Sequence, residues 1–245
     1  FGIQQQLPKG VFMEVSYVAN VGRHLLRQPD INQVPFEQLY ASRNIPSSQR
    51  PADNSMRPYL GYSNSRQRMS DSTSNYHSLQ AYAARRKGRF ILTTSYTFSK
   101  VLTDASGNGD NPENPYDRHY AYGPATFDRN HILVVTYTYQ IPMYRFHNPV
   151  LKKTLMGWEF SGITRGQTGQ AYSITANTSI GGRRADYLGG PVLMPEDERG
   201  PNKWFNPDAF GPAANDRRGT SGAGIARGPG LYLWDLSLRK QFTFG

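Results

Sequence analysis

Residues 75–100 read NYHSLQAYAARRKGRFILTTSYTFSK. They divide into two extended stretches of about ten residues around a tight turn, a hairpin pattern. The second stretch alternates strictly. Phe90, Leu92, Thr94, Tyr96 and Phe98 point one way, and Ile91, Thr93, Ser95, Thr97 and Ser99 the other. Half-buried strands of soluble proteins alternate too. Here one face is largely aromatic, the other is mostly small hydroxyls, and the strand is long. That combination suits a wall with lipid on one side and a wet lumen on the other.

Composition points the same way. Apolar residues are only 37%, yet aromatics reach 13%, with 16 Tyr. A disordered chain is poor in aromatics, and a soluble globule usually carries about 45–50% apolar residues. A polar chain rich in Tyr, Thr, Ser and Gly fits a transmembrane β-barrel, whose inward residues are polar. The absence of Cys excludes a disulfide framework and thiol catalysis. No apolar run approaches the length of a transmembrane helix, which leaves barrel strands open. The net charge of +10 is scattered through loops and turns. Its densest cluster, Arg85, Arg86, Lys87 and Arg89, sits in the hairpin turn and reads as a solvated turn near lipid headgroups. Lys87-Gly88-Arg89-Phe90 lacks the repeated aromatics of an RNA-binding signature, so no nucleic-acid partner is expected.

The remaining strands read as 3–7, 11–19, 131–141, 158–168 and 232–242, with a turn at Pro8-Lys9-Gly10. In 131–141, Leu133, Val135, Tyr137, Tyr139 and Ile141 oppose Val134, Thr136, Thr138 and Gln140. Helix is nearly absent, with one or two turns predicted over 150–156. The connections run short, long, short, long, moderate, long. Loops beyond about 12–15 residues are uncommon in compact soluble domains. Outer-membrane barrels sort them, with short turns toward the periplasm and long loops outside. Tyr96, Phe98, Tyr137, Tyr139, Trp158, Phe160 and Trp234 fall on the lipid side, many near strand ends, where membrane interfaces concentrate aromatics. The expected fold is all-β: a partial transmembrane antiparallel up-and-down β-barrel of about seven long strands. Residues 1–245 form one domain, read as a piece of a longer chain in the bacterial outer membrane.

Several segments resemble the barrel region of TonB-dependent outer-membrane receptors, and the Oar-like group in particular. They are His24-Leu25-Leu26-Arg27-Gln28-Pro29-Asp30-Ile31-Asn32-Gln33, Asn75-Tyr76-His77-Ser78-Leu79-Gln80 and Ser95-Tyr96-Thr97-Phe98-Ser99-Lys100. Phe127-Asp128-Arg129-Asn130-His131, Gly157-Trp158-Glu159-Phe160-Ser161-Gly162-Ile163 with Gln167-Thr168-Gly169-Gln170, and Trp234-Asp235-Leu236-Ser237-Leu238 complete the series. Each is weak alone; their order is specific and covers most of the strands. The resemblance implies a barrel of about 22 strands around a plug. It also implies an imported ligand, and contact with the plug and with TonB through parts of the parent outside this chain. An open sheet of seven strands has unpaired edges, so the piece is not expected to insert or transport by itself.

The candidate sites each have a plainer role as well. Gly181-Gly182-Arg183-Arg184-Ala185-Asp186-Tyr187 combines paired Arg with an aromatic. Arg forks suit carboxylates or phosphates, including those of lipopolysaccharide; the plainer role is a solvated loop tip. Glu159 and Arg165 face the lumen and are candidates to line a ligand path; the plainer role is an ion pair in a wet wall. Asp104, Ser106, Asn108 and Asp110 resemble the front of a calcium loop, but the twelfth position is Pro115 rather than Glu, and a plain turn fits better. Gly222-Ala223-Gly224 with Gly228 misses the dinucleotide spacing, and Ser221 lacks the helix of a nucleophile elbow. The five His are dispersed without metal spacing. No metal, cofactor or enzymatic activity is expected. Partners are outer-membrane lipid and lipopolysaccharide, and the imported ligand. Two other readings stay open: a structural or adhesive outer-membrane barrel, and a soluble β-rich binding domain.

Overall fold

The structure, a computed structural model, describes residues 1–141, 154, 156–178, 181–214 and 216–242. Seven long strands lie side by side in chain order in one antiparallel sheet: β1 (Gly2–Leu7), β2 (Val11–Arg27), β3 (Met69–Lys87), β4 (Phe90–Thr103), β5 (His131–Gln140), β6 (Trp158–Gln167) and β7 (Leu231–Lys240). The two-residue strand Gly123–Pro124 pairs with the top of β4. Each long strand pairs with the next in sequence, so the topology is up-and-down. The sheet is open, with β1 and β7 as its edges.

The register joins the alternation of separate strands into two continuous faces. One row runs Leu7, Val11, Arg85, Leu92, Tyr137, Gly162, Leu236. A row nearer the long loops runs Ile3, Val15, Ala81, Tyr96, Leu133, Gly166, Tyr232. Because opposed residues share a face, all of these belong to one apolar surface. Its other side carries Gln4, Glu14, Tyr82, Ser95, Thr136, Ser161 and Ser237 on successive strands. The first row also measures the stagger. Leu7 ends β1, whereas Leu236 lies four residues before Lys240, the end of β7. That is about 13 Å of offset across the sheet at 3.3 Å per residue. A sheet that closes into a barrel needs such an inclined register.

Turns and close approaches fit this geometry. Gly88 takes φ 78° in the β3–β4 hairpin, and Lys9 and Gly10 take φ 64° and 74° between β1 and β2. Such values suit glycine at tight hairpin turns. Gly162 has Tyr137 and Phe160 nearby, whose rings stack at 5.8 Å between centroids.

Among the described residues no second layer packs on the apolar face. Trp234 is 65% exposed, and Leu236 and Leu238 are 61% exposed. A soluble sheet buries such a face, whereas a barrel wall turns it toward lipid. The buried apolar clusters lie in the loops instead. Val34, Phe36, Leu39 and Tyr40 pack with Met56, and Ile174, Ala185 and Ala226 pack with Tyr172, Val192, Phe210 and their neighbours.

The strands extend further than alternation suggests. β2 continues past 19 to Arg27, β3 starts at Met69 rather than 75, and β4 reaches Thr103. In these extensions the polar Arg27, Ser72 and Thr103 are buried while Val21, Leu25 and Leu26 are exposed, so the pairing continues without an apolar/polar code. Register shifts between Gly22 and Leu25 and between Leu25 and Leu26 blur it further. The helix expected over 150–156 falls largely outside the described residues. Instead α1 (Phe36–Arg43) forms in the first long loop, and a single turn, α2 (Arg118–Ala121), in the second.

Candidate functional site

The long loops 28–68, 104–130 and 168–230 all leave from one end of the sheet and interlock. Gln28 N–H donates to the Asp110 carbonyl at 2.9 Å, Gln33 Nε2 to the Glu113 carbonyl at 2.8 Å, and Tyr116 Oη to the Gln33 carbonyl at 2.6 Å. These tie the first loop to the second. The third loop inserts arginines between them. Arg218 donates to Asp117 at 2.6 Å and to Glu37 at 3.3 Å, with its guanidinium over the rings of Phe36 and Tyr120. Arg227 pairs with the fully buried Asp128. Where α2 starts, Asp117 Oδ1 accepts from the Tyr120 N–H at 3.3 Å as its N-cap.

The expected ligand contacts do not form one exposed tip. Arg184 is buried, 3.6 Å from the Glu113 carboxylate, with its guanidinium over Tyr120. Asp186 is buried and accepts both arms of Arg217, at 2.6 and 2.7 Å, and the Thr220 N–H at 3.0 Å. These two side chains hold loops together. Arg183 is half-buried with its guanidinium over Phe36, and Tyr187 is partly exposed and packs its ring on Phe210. The Arg217 fork, followed by the Thr220 N–H, outweighs burial and holds the Asp186 carboxyl below the ordinary range. Asp117 is also held low, burial being outweighed by Arg218. Burial pushes the Glu113 carboxyl up against the pull of Arg184, and pushes the Tyr40 hydroxyl up to about 12.

Glu159 and Arg165 share the polar face of β6 but stand six residues apart, about 20 Å along the strand. They form no ion pair with each other. Glu159 accepts from Gln140 Nε2 at 3.2 Å near the periplasmic end. Arg165 lies near the outer end, opposite Val134 and Leu233.

The Asp104 and Asp110 carboxylates already have partners. Asp104 accepts from Ser72 Oγ at 2.6 Å, Thr73 N–H at 2.7 Å and Arg118 Nε at 2.7 Å. Asp110 accepts from the N–H groups of Ser106 and Gly107. Among the described residues no cluster of three or more His, Cys, Asp or Glu could hold a metal. His77 and His131 instead meet the hydroxyls of Tyr17 and Tyr96 at 2.6 and 2.7 Å on the apolar face. Ser221 is buried within the third loop, its N–H donating to the Ala185 carbonyl.

No local motif singles out Arg217, Arg218 or Tyr120, although the adjacent Arg217-Arg218 carries the same paired-arginine signal as Arg183-Arg184.

A one-layer, inclined antiparallel wall, apolar on one face and polar on the other and capped at one end by interlocked loops, defines a β-barrel membrane protein. A family model described as an outer membrane beta barrel domain matches residues 1–245. The chain belongs to that family and resides in the bacterial outer membrane. No curated protein and no solved structure matches it.

Proposed function

We propose that the chain forms part of the barrel wall of a TonB-dependent, Oar-like receptor, with the outer loops capturing a ligand for import. The observation that carries this reading is the three-loop layer gathered at the outer end of a wall whose other face is polar. Such a layer presents a shaped surface at the mouth of a lumen. Its contribution is passive: the strands enclose, the loops select, and energy comes from a plug and TonB reached through the parent protein. Lipopolysaccharide and outer-membrane lipid contact the apolar face. A structural or adhesive barrel is the competing reading. Deleting 169–230 from the full-length protein separates them. The receptor reading expects lost substrate uptake with intact cell attachment. Lost attachment with intact uptake overturns it.

A further inference from the structure

The polar face of the wall is not uniformly polar. On β5, β6 and β7, near the outer mouth, it carries Ile132, Val134, Ile163, Leu231 and Leu233. The row Ile132, Gln167, Leu231 lies above the row Val134, Arg165, Leu233, and Thr136, Ile163, Asp235 lie below. The same rows on β4 and β3 hold Thr97 and Gln80, then Ser95 and Tyr82. The aliphatic strip is therefore confined to one side of the wall. Within this chain Ile163, Leu231 and Leu233 are each more than two-fifths exposed, the last two on the open edge strand β7. Arg165 stands in its middle, flanked on both neighbouring strands by aliphatics. Among the described residues no ion pair or side-chain hydrogen bond engages Arg165. Asp235 sits diagonally from it, unpaired in the same sense.

The strip continues into a cleft. A cavity of about 540 Å³ opens where β6 and β7 meet the third loop, lined by Gln167 and Leu231 together with Arg129, Gln170, Tyr172 and Trp204. Trp204 is fixed there, its Nε1 donating to the Arg227 carbonyl at 2.6 Å. Gln167 and Leu231 belong to both cleft and strip, so a molecule entering between the loop and the strand ends meets the aliphatic row and then Arg165.

We propose that this cleft and strip bind an amphiphilic carboxylate, an aliphatic chain or acyl group ending in a carboxylate, with Arg165 holding the carboxylate and Val134, Ile163, Leu231 and Leu233 the chain. A guanidinium framed by methyl groups, with no partner among the described residues, favours an anion that brings apolar surface with it, because chain burial and a charge-assisted hydrogen bond act together. The inference rests on the receptor reading above and names its ligand class.

The test uses the full-length protein in isolated outer membranes and a ten-carbon carboxylic acid bearing a diazirine at its far end. After photolysis, mass spectrometry maps the insertions. They are expected at Ile163, Leu231 and Leu233, and expected to fall about tenfold in Arg165→Gln, the order of a lost hydrogen bond to a charged group. Arg239→Gln, at the far end of the same face, leaves them unchanged. Asp235→Asn, which removes the diagonal negative charge, raises them and gives an independent readout if Arg165→Gln lowers folding. The corresponding ten-carbon alcohol labels wild type and Arg165→Gln equally. Equal labelling by the acid in wild type and Arg165→Gln overturns the proposal, as does insertion confined to Trp234, Leu236 and Leu238. Labelling needs no uptake, so failure of the receptor reading in a transport assay is a separate result.

Discussion

The Arg218 guanidinium donates to the Asp117 carboxylate at 2.6 Å, joining positions 101 residues apart. The same guanidinium reaches Glu37, so one side chain of the third loop touches both of the others. Replacing it by Ala removes two partly exposed ion pairs and the stacking on Phe36 and Tyr120. The expected loss is about 1 kcal/mol, or roughly fivefold in local opening. Hydrogen exchange of α1 amides in the full-length protein measures it. Arg218→Lys keeps the charge but not the fork, and is expected to fall between the two.

The loop layer should be sensitive to acid. Asp186 and Asp117 have folded pKa values below their unfolded values, so their stabilisation is fully present above the unfolded value of about 3.9 and is lost as pH falls through the depressed folded value. Glu113, pushed up by burial, acts in the opposite sense. Protection of the Thr220 amide, which donates to Asp186, is expected to hold from neutral pH down to about 4 and to drop below it, after correction for intrinsic exchange. In Asp186→Asn that amide is expected to exchange faster at neutral pH and to lose the acid transition.

A Cβ at Gly162 would sit 2.8 Å from both Leu236 Cδ2 and Tyr137 Oη and 2.9 Å from the Asp235 carbonyl oxygen. Because one contact is backbone, the strands must shift. Gly162→Val is expected to lower barrel stability by about 1–3 kcal/mol. Gly109→Ala, with nothing within 4 Å, is expected to stay within about 0.5 kcal/mol. Urea unfolding of the full-length protein in detergent compares the two.

The strands were legible because the apolar band writes its alternation directly into sequence, as in Leu133, Val135, Tyr137 and Tyr139. Face assignment and the up-and-down order followed from the same alternation and from loop length. The extensions of β2 and β3 were not legible, since polar residues such as Arg27 and Ser72 are buried there while Val21 and Leu25 are exposed. α1 did leave a signal: Phe36, Leu39 and Tyr40 fall at helical spacing just after Pro35. Its shortness inside a polar stretch hid it. Among the site residues, Arg184 and Asp186 looked like exposed contacts. Their burial depends on Glu113 and Arg217, partners 71 and 31 residues away. No local pattern encodes such pairings.

Placing charge on the two faces of one strand should separate them. Leu236→Arg puts a cation in the middle of the apolar band of β7, with an expected cost of about 2–4 kcal/mol. Ser237→Arg, one residue on, faces the lumen and is expected to fold nearly as wild type. Folding yield of the full-length protein into lipid vesicles distinguishes the pair.

The most direct test of the two-faced wall is single-cysteine spin labelling along β7 in the full-length protein in bilayers. The chain has no Cys of its own, so each label reports one position once any cysteine elsewhere in the parent is replaced. Collisions with oxygen, which concentrates in lipid, are expected to peak at Tyr232, Trp234, Leu236 and Leu238. Collisions with a water-soluble nickel chelate are expected to peak at Leu233, Asp235, Ser237 and Arg239, giving a period of two in opposite phase. Equal accessibility of neighbouring positions, or the two profiles in phase, would contradict a wall with lipid on one side and water on the other.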